Sequence, residues 1–419
     1  MSGSAQEKKQ IKHILVVSQY FYPEAFRIND MCAEWVRRGY KVTVLTGIPN
    51  YPYGKYFEGY GLFKKRREEY MGMDIIRIPL IVRGKSAIGM CLNYLSFVVS
   101  GWFWKCFTRL DCDMVFNFEV SPMTQALVGV WYAKRKKIPC WLYVQDLWPE
   151  NIEIVTGIHS PLVLNPIGRM VDYIYKRCDR IFATSPSFVE MIRARIPRGG
   201  DKVSYWPQYA EEFYRPTKRG ESGLIEADGR FKVAFTGNVG QAQGLDILPE
   251  CAEIIKKRGV NAQFVIVGDG RSKATLEEKI KAHGVEDMFT MLPRQSAESI
   301  PAILAECDAA FVSFMNNPLF ANTIPAKLQS YMACGMPILA CATGETERIV
   351  NEADCGICSP IGDANALADA VERLGSSARL EEYGRNARVY FEAHYDKTML
   401  LDLFDDCVRE CERQGEEKS

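Results

Sequence analysis

"FKVAFTGNVGQAQGLDIL" (residues 231–248) decides how this chain is built. It begins as a continuous apolar, β-rich run, passes through a glycine-studded turn, and ends as the start of a helical segment. A strand that is apolar on both faces and feeds straight into a helix belongs in a parallel sheet covered on both sides. The pattern then repeats downstream in "AQFVIVGD", "FTMLP", "AAFVSF", "PILACAT" and "GICSP". Upstream it is already present in "HILVVSQYF", "KVTVLTG", "DIIRIPL", "MVFNFEV", "PCWLYVQD", "RIFATSP" and "KVSYWP". Between the two series lies "RPTKRGESGLIEADGR" (215–230), rich in charge and glycine, which reads as a linker,.

At 419 residues the chain exceeds one typical domain,. The expected organisation is α/β, with two doubly wound halves. A first domain covers 1–210, a linker 211–230 and a second domain 231–387. The last helical segment, about 388–415, has no strand after it and must pack on something already formed. Apolar residues make up 47% of the chain, enough for a substantial core,. Equal acidic and basic counts, 52 each, argue against bulk nucleic-acid binding,. "MSGSAQEKKQIK" has no apolar h-region, so a cytoplasmic chain with reduced cysteines is expected,. Cys355-Gly-Ile-Cys358 has no second pair at zinc spacing and reads as a packed turn,.

Basic residues gather in the first third, at Lys64-Lys65-Arg66-Arg67, Arg83, Lys85, Lys105, Arg109 and Lys134-Arg135-Lys136-Lys137. Such runs form either a solvated face or a face toward an anionic membrane. Among them "SAIGMCLNYLSFVVSGWFW" (86–104) is free of charge and just long enough to span a bilayer,. A true span would divide the first domain, so 86–107 reads as a helix lying partly in the membrane interface, or as an ordinary core helix.

Ligands of doubly wound sheets sit beyond the carboxyl ends of the strands. After the first strand comes Gln19 to Arg27, with no G-x-G-x-x-G; this argues against a dehydrogenase, and Tyr22, Glu24 and Arg27 become candidate acceptor-side residues,. After "PCWLYVQ", Asp146 and Glu150 set two carboxylates in a tight turn, suited to a base or a hydroxyl-binding pair; Asp146 could equally cap a helix,. Gly237, Asn238 and Gly240 lie at a strand-to-helix turn where backbone N–H groups can approach phosphate,. In "ANTIPAKLQSYMACG" (321–335), Asn322 and Thr323 lead through Pro325 into a helix with Lys327 one turn in. Lys327, Ser330 and Tyr331 share one face. Oriented amides plus one cation make a candidate diphosphate clamp, the alternative being a snorkelling surface lysine.

The order "GNVGQAQGLDIL", "VIVGDG", "NTIPAKLQSYMACGMPILA", "CGICSPIGDANALADAV" resembles the carboxyl-terminal half of retaining GT-B glycosyltransferases of family four. "LVVSQYFYPE", "RRGYKVTVLTGIPNYP" and "QDLWPEN" are similar to the O-antigen and capsule branch of that family. The resemblance implies a GT-B fold, two Rossmann-like domains facing a central cleft, with the last helix crossing back onto the first. It implies a nucleotide-sugar donor, UDP-linked, bound by Gly237, Asn238, Gly240, Gln243, Arg294, Asn322, Thr323, Lys327 and Ser330. Asp146 and Glu150 would sit by the acceptor and the transferred sugar, an N-acetylated hexosamine or deoxyhexosamine. The acceptor would be polyprenyl-linked or a saccharide, and the enzyme peripheral on the inner membrane face. No metal is expected, because Lys327 and helix N-termini would hold the leaving group; the "DCD" at 111–113 precedes its strand. The family's two glutamates eight positions apart fall on Asn322 and Ser330, its glycine-loop lysine on Gln243, and a frequent histidine on Gln145. A sugar-nucleotide epimerase of the same fold and a non-catalytic membrane scaffold are the competing readings.

Overall fold

Residues 10–84 and 86–417 are described by the computed structural model, so the amino terminus read as lacking a leader, and Lys85, lie outside the described residues. The apolar runs form two sheets in two compact units. The first unit holds β1 (His13–Val17), β2 (Lys41–Gly47), β3 (Arg67–Tyr70), β4 (Met73–Ile78), β5 (Met114–Glu119), β6 (Cys140–Val144), β7 (Arg180–Ala183) and β8 (Val203–Tyr205). Their order is β3-β4-β2-β1-β5-β6-β7-β8. All neighbours pair in parallel except β3, which runs antiparallel to β4 at the edge. The central strands are buried on both faces, as in "MVFNFE", whose six residues are all buried,.

β3 reads "REEY" and alternates exposed with half-buried residues, so it carries no apolar signal and is absent from the strands expected from sequence. The helix Ala87–Phe107 is long and apolar enough to cross a membrane. It turns Asn93, Phe97 and Gly101 inward at four-residue spacing, with Gly101 close against Val128. Ile88, Leu92, Leu95, Val99, Trp102, Phe103 and Phe107 are exposed. Asn93 is satisfied beneath it, accepting from Gln19 Nε2 at 2.7 Å and donating to the Ile81 carbonyl,.

The second unit holds β9 (Phe231–Asn238), β10 (Ala262–Asp269), β11 (Phe289–Leu292), β12 (Ala309–Ser313), β13 (Ile338–Cys341) and β14 (Gly356–Ser359). They form a fully parallel sheet in the order β11-β10-β9-β12-β13-β14. The close approach of β9 and β10 near their carboxyl ends demands glycine,. Gly237 has φ 129° and Gly268 φ 153°, and a Cβ on Gly268 would lie 1.8 Å from the Gly237 carbonyl oxygen,.

Two boundaries differ from expectation. The stretch expected as a free linker belongs to the second unit. Glu306 accepts the amides of Gly220 and Ser222 at 2.8 and 3.3 Å, and Arg219 pairs with Asp308 at 2.6 Å, which ties it down. Residues 388–402 also stay with the second unit, because helix Leu380–His394 packs there and Arg388 donates to the Ala333 carbonyl. Only from Leu403 does helix Lys397–Glu417 join the first unit. There Phe404 enters an aromatic core, Asp405 meets Arg38 and Tyr40, and Glu412 accepts from the Ile11 amide.

Candidate active site

In the second unit the helix Ala326–Ala333 is tied to β9 through Tyr331. Tyr331 is fully buried, and its hydroxyl accepts from the Thr236 amide at 2.8 Å, fixing the helix to the strand that carries the glycine turn. One turn earlier Lys327 lies over the Phe235 ring, Nζ 3.8 Å from the centroid, and donates to Gln243 Oε1,. Lys327 is half-buried, its ammonium enclosed by the Phe235 ring and Gln243. Burial lowers its pKa from 10.5 to about 7,. No acid pairs with it among the described residues, so its charge is uncompensated.

Around that ammonium the glycine turn is held from both sides. The Val239 amide donates to the Asp269 carbonyl at 2.9 Å, and Ser313 Oγ donates to the Gln243 carbonyl. Gly237 and Asn238 are exposed at the end of β9. Gly240 follows at the entry of the short turn Gln241–Gln243. Lys327, Gln243 and the turn thus come together. Pro325 precedes the helix in extended conformation instead of forming its first turn.

Other expected donor residues are placed differently. Ser330 is buried and its hydroxyl donates back to the Ala326 carbonyl at 3.2 Å, so it braces its own helix,. Asn322 Nδ2 and Thr323 Oγ1 donate to the Pro318 and Leu319 carbonyls, closing the preceding turn. Arg294 is exposed beyond β11, the edge strand.

In the first unit Asp146 follows β6. Its Oδ2 accepts from the Ser121 amide at 2.8 Å, which joins the loops after β5 and β6; it does not cap the helix Glu150–Thr156, whose cap is Pro149. Glu150 lies 3.8 Å from Arg195 and keeps Oε2 buried. Sequence reasoning missed Glu119, the last residue of β5. It is fully buried, and its Oε2 accepts from the Asp146 amide at 3.4 Å. Burial, and then the Asp146 charge, push its carboxyl well above the usual range,. A carboxylate ending an otherwise apolar strand was the available signal.

Glu24, expected on the acceptor side, is 3% exposed, and its two oxygens accept from the amides of Phe21, Asn50 and Tyr51, so it organises the loops after β1 and β2. Burial raises it to about 7 against those three amides. Tyr22 stacks on Tyr70 at 3.7 Å and Arg27 opens the helix Arg27–Arg37. Asp113 of the "DCD" accepts from the amides of Lys12 and His13 at the start of the sheet, a structural anchor. Among the described residues no three His, Cys, Asp or Glu side chains gather as a metal site.

Comparison with known proteins agrees with this architecture. A family model described as "Glycosyltransferase Family 4" matches residues 26–208, and one described as "Glycosyl transferases group 1" matches 221–389. The chain is 28% identical over 280 residues to the probable glycosyltransferase WbjE of Pseudomonas aeruginosa, covering 64% of this chain and 67% of that one. It is 25% identical over 416 residues to the putative colanic acid biosynthesis glycosyl transferase WcaI of Escherichia coli (strain K12), covering 94% and 99%. The solved structure of Anabaena Alr3699/HepE in complex with UDP shares the fold at TM-score 0.68 and 14% identity, over 95% of this chain and 99% of that one. With one glycosyltransferase model on each half and the two-sheet architecture beneath both, the chain belongs to the glycosyltransferases of the GT-B fold.

Proposed function

We propose that this glycosyltransferase moves a sugar with retention from a UDP donor to a lipid-linked or saccharide acceptor in cell-surface polysaccharide assembly. The transferred sugar is an N-acetylated hexosamine or deoxyhexosamine. The observation that carries the reading is Lys327, a half-buried cation beside a glycine turn, with no acidic partner among the described residues. A desolvated cation is costly unless an anion completes it, and a diphosphate fits that need. The UDP complex of the HepE neighbour and the polysaccharide role in the name of WcaI support the choice of donor and pathway class.

In this scheme the second unit holds the donor, and the diphosphate departs toward Lys327 and the amides at the start of Ala326–Ala333. The acceptor hydroxyl, on the first unit near Asp146 and Glu150, attacks from the face the leaving group vacates. Lys327 and the helix amides supply the positive charge, so full activity in a chelator is expected. The first unit works at the inner face of the plasma membrane through its basic residues and the exposed apolar side of Ala87–Phe107,. Incubation with UDP-sugars should release UDP only when acceptor is added. Isomerised UDP-sugar as the product would establish an epimerase and overturn this reading.

The depressed lysine gives a pH prediction. In the free protein Lys327 loses its proton near pH 7, and a bound diphosphate favours the ammonium, so binding takes up protons. UDP affinity should fall from pH 7 to 9, approaching about tenfold per unit. The phosphate itself is fully charged above about pH 6 and contributes little there. The complementary sign applies to folding: the unliganded protein bears the cost of burying an ammonium at pH 7, and gains stability as pH rises toward 10.5,. Calorimetry of UDP binding in two buffers of different ionisation enthalpy checks it; an affinity independent of pH across this window would refute the buried-cation account.

A further inference from the structure

The first unit carries an open groove of about 1070 Å³ that includes none of the candidate site residues. One wall is the carboxyl-terminal part of Ala87–Phe107, with Phe103, Trp104 and Phe107; the floor is formed along β4, with Ile76 and Ile78. Phe103 is 53% exposed and Phe107 80%, an aromatic wall left to water,. Beside it the Gly61–Lys64 bridge closes a tight turn whose tip residue, Phe63, is 97% exposed and followed by Lys64 and Lys65.

The rim is cationic. Arg66 and Arg67 reach it at β3 and Arg109 reaches it just past the helix. Arg67 and Arg109 are exposed, and no acid pairs with either among the described residues. Arg66 donates to the carbonyls of Arg77 and Leu62, which leaves its charge unneutralised. Two acids also line the groove: Glu68 is already paired with buried Arg77, and Asp74 is exposed. The balance stays positive around an apolar trough, the complement of an amphiphile with an anionic head.

The topology sets the groove apart from the candidate site residues. Thr43, Asp74 and Leu110 place part of the groove at the amino ends of β2, β4 and β5. Asp146 lies beyond the carboxyl end of β6, which runs parallel to them. The Arg109 end of the groove therefore lies away from Asp146, while the groove runs along β4 to Ile78 and Pro79 and includes neither Asp146 nor Glu150. We propose that the groove is a saturable site for one anionic phospholipid of the membrane, with an acyl chain along Phe107, Trp104 and Ile76 and its phosphate at the arginine rim. The site rests on the membrane-surface reading above and sharpens it, because a diffuse basic face gives partition without stoichiometry.

Dioctanoyl-phosphatidylglycerol below its micelle concentration, titrated into the full chain by calorimetry, should bind one to one. Dioctanoyl-phosphatidylcholine should bind at least about tenfold more weakly. Arg67→Gln/Arg109→Gln, two exposed substitutions, should cost about tenfold for the glycerol lipid and leave the choline lipid unchanged. Ser100→Trp, which fills the groove, should abolish both while a wild-type urea midpoint by tryptophan fluorescence reports an intact first unit. Absence of saturable binding, equal affinity for the two lipids, or an unchanged double variant would each overturn the groove. Sedimentation with anionic vesicles separates the two ideas: wild type that fails to sediment refutes the membrane reading itself, whereas sedimentation without short-chain binding refutes only the groove.

Discussion

Lys327→Ala is expected to lower turnover by about a hundredfold or more, the range seen when one group stabilising transition-state charge is removed. The leaving diphosphate gains negative charge as the sugar bond breaks, and Lys327 is the half-buried cation the second unit offers beside the glycine turn. Its ammonium is held before any ligand arrives, by Gln243 Oε1 and the face of Phe235, so little reorganisation is needed when charge develops,. The loss should appear in kcat as well as in kcat/KM, because the interaction strengthens as the bond breaks. Lys327→Arg is a demanding control. The planar guanidinium is larger and stays charged at any working pH, so it should restore part of UDP binding, erase the pH dependence above 7, and recover little turnover. Steady-state kinetics with UDP-sugar, on protein whose melting temperature matches wild type, measures both. Turnover of Lys327→Ala at the wild-type level would remove Lys327 from the chemistry.

The same helix shows what was legible in the sequence. Its polar inward face could be read directly, since Lys327, Ser330 and Tyr331 fall on one side, and the strand-following position marked it as a site. What that spacing could not say is which of the three would be engaged locally. Tyr331 holds Thr236 and Ser330 holds Ala326, leaving Lys327 as the member that meets another loop's side chain. The parallel strands were legible because burial on both faces writes a continuous apolar run. β3 was not, because an edge strand paired on one side carries no such run. Glu24 and Glu119 show the limit from the other direction. Both stand just past or at a strand end, where ligands are found, and both turned out to be buried carboxyls holding backbone amides. A sequence records that a carboxylate is near the top of the sheet; whether its oxygens face a ligand or a loop depends on how neighbouring loops fold over it.

The boundary of the last helix was illegible for a related reason, and it leads to the second large effect. Leu400 and Leu401 pack with the second unit, Phe404, Cys407 and Val408 with the first, and all are buried. The apolar stripe runs on without a break, so nothing in the pattern marks the change of partner at Leu403. In the first unit Phe404 is the centre of the aromatic core: its ring stacks on Trp35 at 4.6 Å and on Trp206 at 5.8 Å, and meets Trp141 edge-on at 5.5 Å. Phe404→Ala should therefore destabilise the first unit by about 3–5 kcal/mol, the cost of emptying a large buried aromatic site. The polar contacts that follow, Arg38 with Asp405 at 2.6 Å and Arg180 with Glu410, depend on the same helical turns and should loosen with it. Two units make a single unfolding free energy ill-defined, so the measurement must report one unit alone. The sequence supplies that probe: all seven tryptophans, from Trp35 to Trp206, lie in the first unit. Urea unfolding followed by tryptophan fluorescence should shift to a clearly lower midpoint in Phe404→Ala. Stabilisation by UDP, which reports the second unit, should change little. An unmoved fluorescence midpoint would mean that the first unit does not need this helix, and that its aromatic core closes without it.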